Sequence, residues 1–232
     1  MQKKYQPQTK EKLKLLARNK NIDLGDIDTS LITDMINLFY RSYRKDFSGI
    51  ETWDVSNVTN MRGMFAYTKN FNGNISNWDV SSVTNMHGMF CGARSFKGDL
   101  SKWDVSKVEK MSHMFDGAIN FNGDISNWDV SNVTNMGWMF CGAKNFNGNI
   151  SNWDVSSVTN MSGMFFGARS FKGDLSNWDV SSVKNMSCMF HSAKNFNSDL
   201  SGWNVSSVED MHGMFYKAKK FNGDLSKWVK QP

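Results

Sequence analysis

Three cysteines, two prolines and four histidines are all that 232 residues hold of the types most often recruited for cross-links, kinks and catalysis. Three thiols allow at most one disulfide. Cys91 and Cys141 lie two 25-residue steps apart. If each step were one stacked strand of ~4.8 Å, the two would sit about 10 Å apart, beyond the ~7 Å Cα limit for a bridge. Cys188 falls at a different place in its step, so all three are expected as free thiols. No run of 18 apolar residues occurs, which excludes a membrane-spanning helix. The first residues are charged with no apolar stretch behind them, so no signal peptide is expected. The patterns G-x-x-x-x-G-K-S/T, H-E-x-x-H, C-x-x-C and G-x-S-x-G are all missing. His87, His113, His191 and His212 never share a column on adjacent steps. No enzyme site, metal site or cofactor is therefore expected.

An excess of one charge is also lacking over most of the chain. The net charge is +5, but residues 1–20 carry Lys3, Lys4, Lys10, Lys12, Lys14, Arg18 and Lys20 against Glu11 alone. The remainder is close to neutral, which argues against a nucleic-acid platform. With 40% hydrophobic and 13% aromatic residues, the chain can bury a continuous core.

What is abundant is repetition. Trp53, Trp78, Trp103, Trp128, Trp153, Trp178, Trp203 and Trp228 fall 25 apart. A fixed period of this size predicts a stack in which each repeat buries its apolar face against its neighbours. In the copy around Trp103 the apolar positions are Leu100, Trp103, Val105, Val108, Met111, Met114, Phe115, Ala118 and Phe121. The first three have the L-x-x-L-x-L spacing of a leucine-rich repeat, which predicts a short strand. Met111, Met114, Phe115 and Ala118 then follow at i, i+3, i+4 and i+7, one face of two helical turns. The expected fold class is an α/β repeat solenoid, leucine-rich-repeat-like. About nine coils would form one parallel β-sheet of short strands, with short helices or 3₁₀ turns on the opposite side. Residues 1–22 are expected as a lead and capping helix, with Leu13, Leu16 and Ala17 as its apolar stripe. Residues 23–232 form the single solenoid, of which 23–49 are a divergent first coil, Leu24 and Ile27 standing for Leu and Trp. Val229, Lys230 and Pro232 in the last coil are expected to blunt its exposed edge at a true terminus.

Each position of such a stack becomes a column, so candidate sites are columns. Asp54, Asp79, Asp104, Asp129, Asp154 and Asp179 form an outward carboxylate ladder. Hydrogen bonds from nearby serines or backbone N–H groups are expected to offset its self-repulsion, with some carboxyl pKa values raised. Cation binding by carboxylate pairs is the weaker alternative. A basic column (Lys69, Arg94, Lys144, Arg169, Lys194, Lys219) is expected to be screened by an acidic or amide column five residues on. The columns that vary point more directly to a task. Ala66, Cys91, Asp116, Cys141, Phe166, His191 and Tyr216 share one, and Trp138 stands where most copies have Gly. An aromatic without a core role is a candidate hot spot, so Trp138, Phe166, His191 and Tyr216 join the Asp ladder as candidate binding residues.

The repeat F-N-G-D/N-L/I-S-x-W-D/N-V-S-x-V-x-x-M-x-x-M-F resembles the BspA-like leucine-rich-repeat bacterial surface proteins over residues 24–230. That resemblance implies a surface or secreted location and adhesin-like binding of host or neighbouring-cell proteins, and it carries no catalytic residues. The expectation is a non-enzymatic protein-binding module, monomeric, with edge-to-edge association left open. An intracellular scaffold or effector, and a glycan-binding module using exposed aromatics, are the rivals.

Overall fold

The computed structural model describes residues 3–228, and nearly all of that length is built from turns. Among the described residues there is one α-helix, α1 (Lys10–Arg18), and two 3₁₀ turns, Leu24–Asp26 and Ile50–Thr52. No strand forms; eight isolated parallel bridges, at one residue per repeat, are all the β-structure present among them. The leucine-rich-repeat-like solenoid with a parallel β-sheet and a helical row is therefore corrected. The chain is a tandem array whose repeats stack 25 residues apart without a sheet. The edge at Val229, Lys230 and Pro232 lies outside the described residues.

Three local choices explain why the expected strand does not form. Around Trp103 the backbone closes a turn, with Trp103 N–H donating to the Leu100 carbonyl at 3.1 Å. Asp104 Oδ1 then accepts the Ser106 N–H at 3.0 Å, an Asx turn. Val108 N–H closes a third turn onto Val105 at 2.9 Å. Amides spent on turns cannot serve a ladder. The link between repeats is made by a side chain instead: Trp103 Nε1–H donates to the Ile75 carbonyl, 28 residues back, at 3.1 Å. The same bond recurs from Trp53 to Trp228 at 2.9–3.1 Å.

The expected helix fails for a different reason. Two residues per repeat are left-handed: His113 (φ 57°) and Gly117 (φ 67°) in this copy, and their counterparts in the others. A right-handed helix cannot pass through either. The backbone here alternates its partners. His113, Phe115 and Gly117 donate to carbonyls 24 residues ahead, in the next repeat, at 2.6–2.9 Å. The N–H groups of Met114, Asp116 and Ala118 each close a turn three residues back. The segment is thus a run of linked turns that bonds sideways to its neighbour with every second residue.

Packing follows from that register. Leu100, Trp103, Val105, Val108, Met111, Met114, Phe115, Ala118 and Phe121 are all buried. The rings stack on their own counterparts, Phe90 to Phe115 to Phe140 at 5.6 Å per step and Trp128 to Trp153 at 6.3 Å. Within a repeat, Phe115 and Phe121 lie 3.9 Å apart. One apolar core therefore runs the length of the array.

Helix α1 covers the first repeat. Thr9 caps it by accepting the Lys12 N–H at 3.3 Å, and Leu13 and Ala17 are fully buried in the core. Arg44 holds its far end, donating to the carbonyls of Ala17 and Asn19 beyond 2.9 Å and of Ile22 at 2.7 Å. The basic N-terminal segment is also tied down, through Lys4–Asp26 at 2.7 Å and Lys10–Asp34 at 2.8 Å.

Candidate functional site

The Asp ladder is exposed along its whole length, but its carboxylates are already engaged. Asp54, Asp79, Asp104, Asp129 and Asp154 each accept both the N–H (3.0–3.1 Å) and the hydroxyl (2.6–2.7 Å) of the serine two residues on. Asp179 accepts the Ser181 N–H at 3.0 Å. The serine hydroxyl first, and the backbone N–H second, hold Asp79, Asp104, Asp154 and Asp179 below the usual carboxylate range. At these four the raised values expected from self-repulsion are thereby corrected: the serine donors outweigh neighbouring charge. The same Asx turn occurs twice more per repeat, at Asp99–Ser101 and at Asn85–His87 in one copy.

The depressed carboxyls make stability depend on pH, with a definite sign. A group whose folded pKa is lowered stabilises the fold above its unfolded value, and that contribution is lost as pH falls through the folded value. The melting temperature is therefore expected to drop below about pH 4, where aspartate protonates in an unfolded chain, after a smaller decline that begins near pH 6.5, where His87, kept neutral by burial, would protonate when unfolded. A melting series in scanning calorimetry checks this; a rise in stability on acidification would refute the assignment.

The variable residues come together. Phe166 lies 5.6 Å from Trp138 and 4.3 Å from His191, and His191 lies 5.0 Å from Tyr216, ring centre to ring centre. Trp138, Phe166 and His191 are half-buried, and Tyr216 is 57% exposed. No hydrogen bond or ring contact among the described residues joins this row to the Asp ladder. The row is also longer than the columns suggested. His113 stacks on Trp138 at 6.3 Å, and His87 meets His113 at 5.5 Å. Strict 25-residue columns hid part of this, because the contacts run 26 residues from His87 to His113 and 28 from Trp138 to Phe166, whereas His113 stands 25 before Trp138 in the same column. Left-handed backbone at His113 and Trp138 (φ 59°) carries these rings sideways between columns.

Holding a tryptophan in that conformation costs roughly 1–2 kcal/mol, which Gly63, Gly88, Gly163 and Gly213 avoid in their copies. Its ring lies against Gly163 in the next repeat, where any Cβ would come within 2.6 Å of it. Trp138 is thus packed between His113 and Gly163 of its two neighbouring repeats. The histidines are partly committed. His87 Nδ1 pairs with Ser112 Oγ at 2.7 Å and burial lowers its pKa, while His113 Nδ1 pairs with Asp116 at 3.0 Å. His191 Nδ1 is buried with no partner among the described residues.

The thiols beside the row are unreactive in character. All three cysteines are free. Burial first, and the Asp116 charge second, push Cys141 up to about 12; burial also raises Cys91. No group of three or more His, Cys, Asp or Glu among the described residues could hold a metal ion. No helix among them is long and apolar enough to cross a membrane.

The family described as "Mycoplasma protein of unknown function, DUF285" matches residues 11–122 and 138–231, well over half of the chain. No curated protein matches it.

Proposed function

We propose, for a chain that belongs to the tandem-repeat family described as "Mycoplasma protein of unknown function, DUF285", a non-enzymatic role in binding a protein partner. The observation that carries this reading is the row Trp138–Phe166–His191–Tyr216. In a repeat whose core positions hardly vary, several surface columns do, and in consecutive copies Phe166, His191 and Tyr216 make one of them aromatic, with Trp138 packed beside Phe166. Aromatic groups already ordered by stacking lose little entropy on binding, and such residues dominate interface energies. The resemblance to BspA-like proteins supports a surface or secreted, adhesin-like setting, with a host or neighbouring-cell protein as the partner.

The test uses pull-downs of host and neighbouring-cell surface proteins with the full chain and two variants. Tyr216→Ala and Phe166→Ala are expected to weaken a specific capture at least about ten-fold, the scale of one hot-spot residue. Exposed Asp129→Asn, which keeps the turn's acceptor, is expected to leave it unchanged. Capture that survives both aromatic substitutions, or no specific capture at all, sinks the proposal.

A further inference from the structure

Beside the aromatic row, across a floor of glycines, runs a second line of side chains with a different chemistry. Lys69, Arg94, Lys144, Arg169, Lys194 and Lys219 occupy one position in successive repeats, interrupted once by Ile119. All six are exposed. None takes part in the three ion pairs found among the described residues. Gly92, Gly117 and Gly142 form the floor of an open groove of about 360 Å³ between Lys69, Arg94 and Lys144 on one side and Cys91 and Asp116 on the other. At roughly 5 Å per repeat, set by neighbouring-chain spacing, the line is about 30 Å long.

We propose that this line is a docking surface for a linear sulfated polysaccharide. Unpaired cations in single file, at a regular step, match a thin polymer with a charge on each unit. Wider polyanions fit poorly. Exposed Asp99, Asp124, Asp174 and Asp199 stand five residues on in the sequence from the basic position or its Ile119 gap. Single-stranded nucleic acid needs free aromatic faces on which bases stack. The ring that lines the groove is that of Tyr67, and Arg41 lies over its face at 5.6 Å from the centroid. Of the N-terminal cations, Lys4, Lys10 and Arg18 are already bound to Asp26, Asp34 and the carbonyls of Leu38 and Tyr40. This surface is independent of the aromatic row and would stand if the protein-binding proposal fell.

The experiment is a calorimetric titration of the full chain with a heparin-type oligosaccharide, repeated with a single-stranded DNA oligonucleotide. Saturable oligosaccharide binding is expected, weakening about ten-fold or more between roughly 50 and 200 mM salt as counterions are released. The double variant Lys144→Gln, Arg169→Gln should lose about ten-fold in affinity, an amount consistent with two phosphate-like contacts. Lys107→Gln, Lys110→Gln removes the same charge from exposed positions outside the line and should stay within about two-fold of the parent. Melting curves establish that both variants fold. Absence of binding at low salt, equal losses in the two variants, or DNA binding as tight as oligosaccharide binding would each overturn the proposal.

Discussion

Replacing Trp128 by alanine is expected to destabilise the protein by on the order of 5 kcal/mol. The side chain is 3% exposed and stacks on Trp153 at 6.3 Å and near Phe115, also at 6.3 Å. Large-to-small changes of a buried aromatic cost about 3–5 kcal/mol through lost burial and the cavity left behind. Alanine also removes the indole N–H that donates to the Leu100 carbonyl at 3.0 Å, stranding a buried acceptor at about 1–3 kcal/mol. Trp128→Phe separates the two effects. It keeps most of the ring and loses the donor, so about 2 kcal/mol is expected from it alone. Trp228→Phe serves as the end-of-array comparison. Its bond to the Leu200 carbonyl is only part-buried, and water can replace it, so a smaller loss is expected. Urea unfolding of the three variants measures the differences. Equal, small effects of Trp128→Phe and Trp228→Phe would show that the indole bonds do not hold the repeats together.

Gly49→Ala is expected to cost on the order of 3 kcal/mol, from left-handed strain and steric overlap together. Gly49 has φ 88°, and a Cβ there would run into the backbone nitrogen of Gly25 and lie 2.7 Å from the Gly25 Cα. Those atoms are main chain, so no rotamer change relieves the contact. Gly25 N–H also donates to Asp23 Oδ1 at 2.8 Å, which anchors the turn that would have to shift. The close approach joins the 3₁₀ turns Leu24–Asp26 and Ile50–Thr52, the contact between the divergent first repeat and the next. Gly167→Ala isolates the conformational part. Its φ is 65°, yet nothing lies within 4 Å of an added Cβ, so only about 1 kcal/mol is expected. Should Gly49→Ala prove no worse than Gly167→Ala in thermal melts, the close backbone approach is wrong.

The inventory of buried side chains was legible in the sequence, and the elements that carry them were not. Trp103, Val105, Met111, Met114 and Phe115 were recognisable as core because a fixed 25-residue period forces every copy to bury the same positions. A strand and a helix were then assigned from spacing, since i, i+3, i+4, i+7 is the helical stripe. A chain of turns produces the same spacing when left-handed residues rotate it back onto the core. The missed signal was present: Gly88 and Gly92 interrupt Met-x-Gly-Met-Phe and Phe-x-Gly-Ala, and glycine at two fixed places argues for positive φ rather than helix. His113 and Trp138, standing where glycine would, concealed that signal in their own copies. Asp104-x-Ser106 was likewise readable as an Asx turn, but its neighbours Trp103 and Val105 favour strands by type. At the candidate site, the members Trp138, Phe166, His191 and Tyr216 were visible as exceptions to the repeat. Their joining to His87 was not, because that step crosses columns; His113, 25 residues before Trp138, was a readable exception in the same column.

Residue-resolved hydrogen exchange by NMR tests most directly whether the repeats are linked by indoles and alternate amides rather than by a sheet. Slow exchange is expected for the indole N–H of Trp78, Trp103, Trp128, Trp153 and Trp178 and for the amides of His113, Phe115 and Gly117, with fast exchange at the amides of Asp79, Asp104 and Asp129. Protected amides at those aspartates, together with rapidly exchanging indoles, would mean that the Trp-Asp-Val segments pair as strands and would contradict a turn-built array.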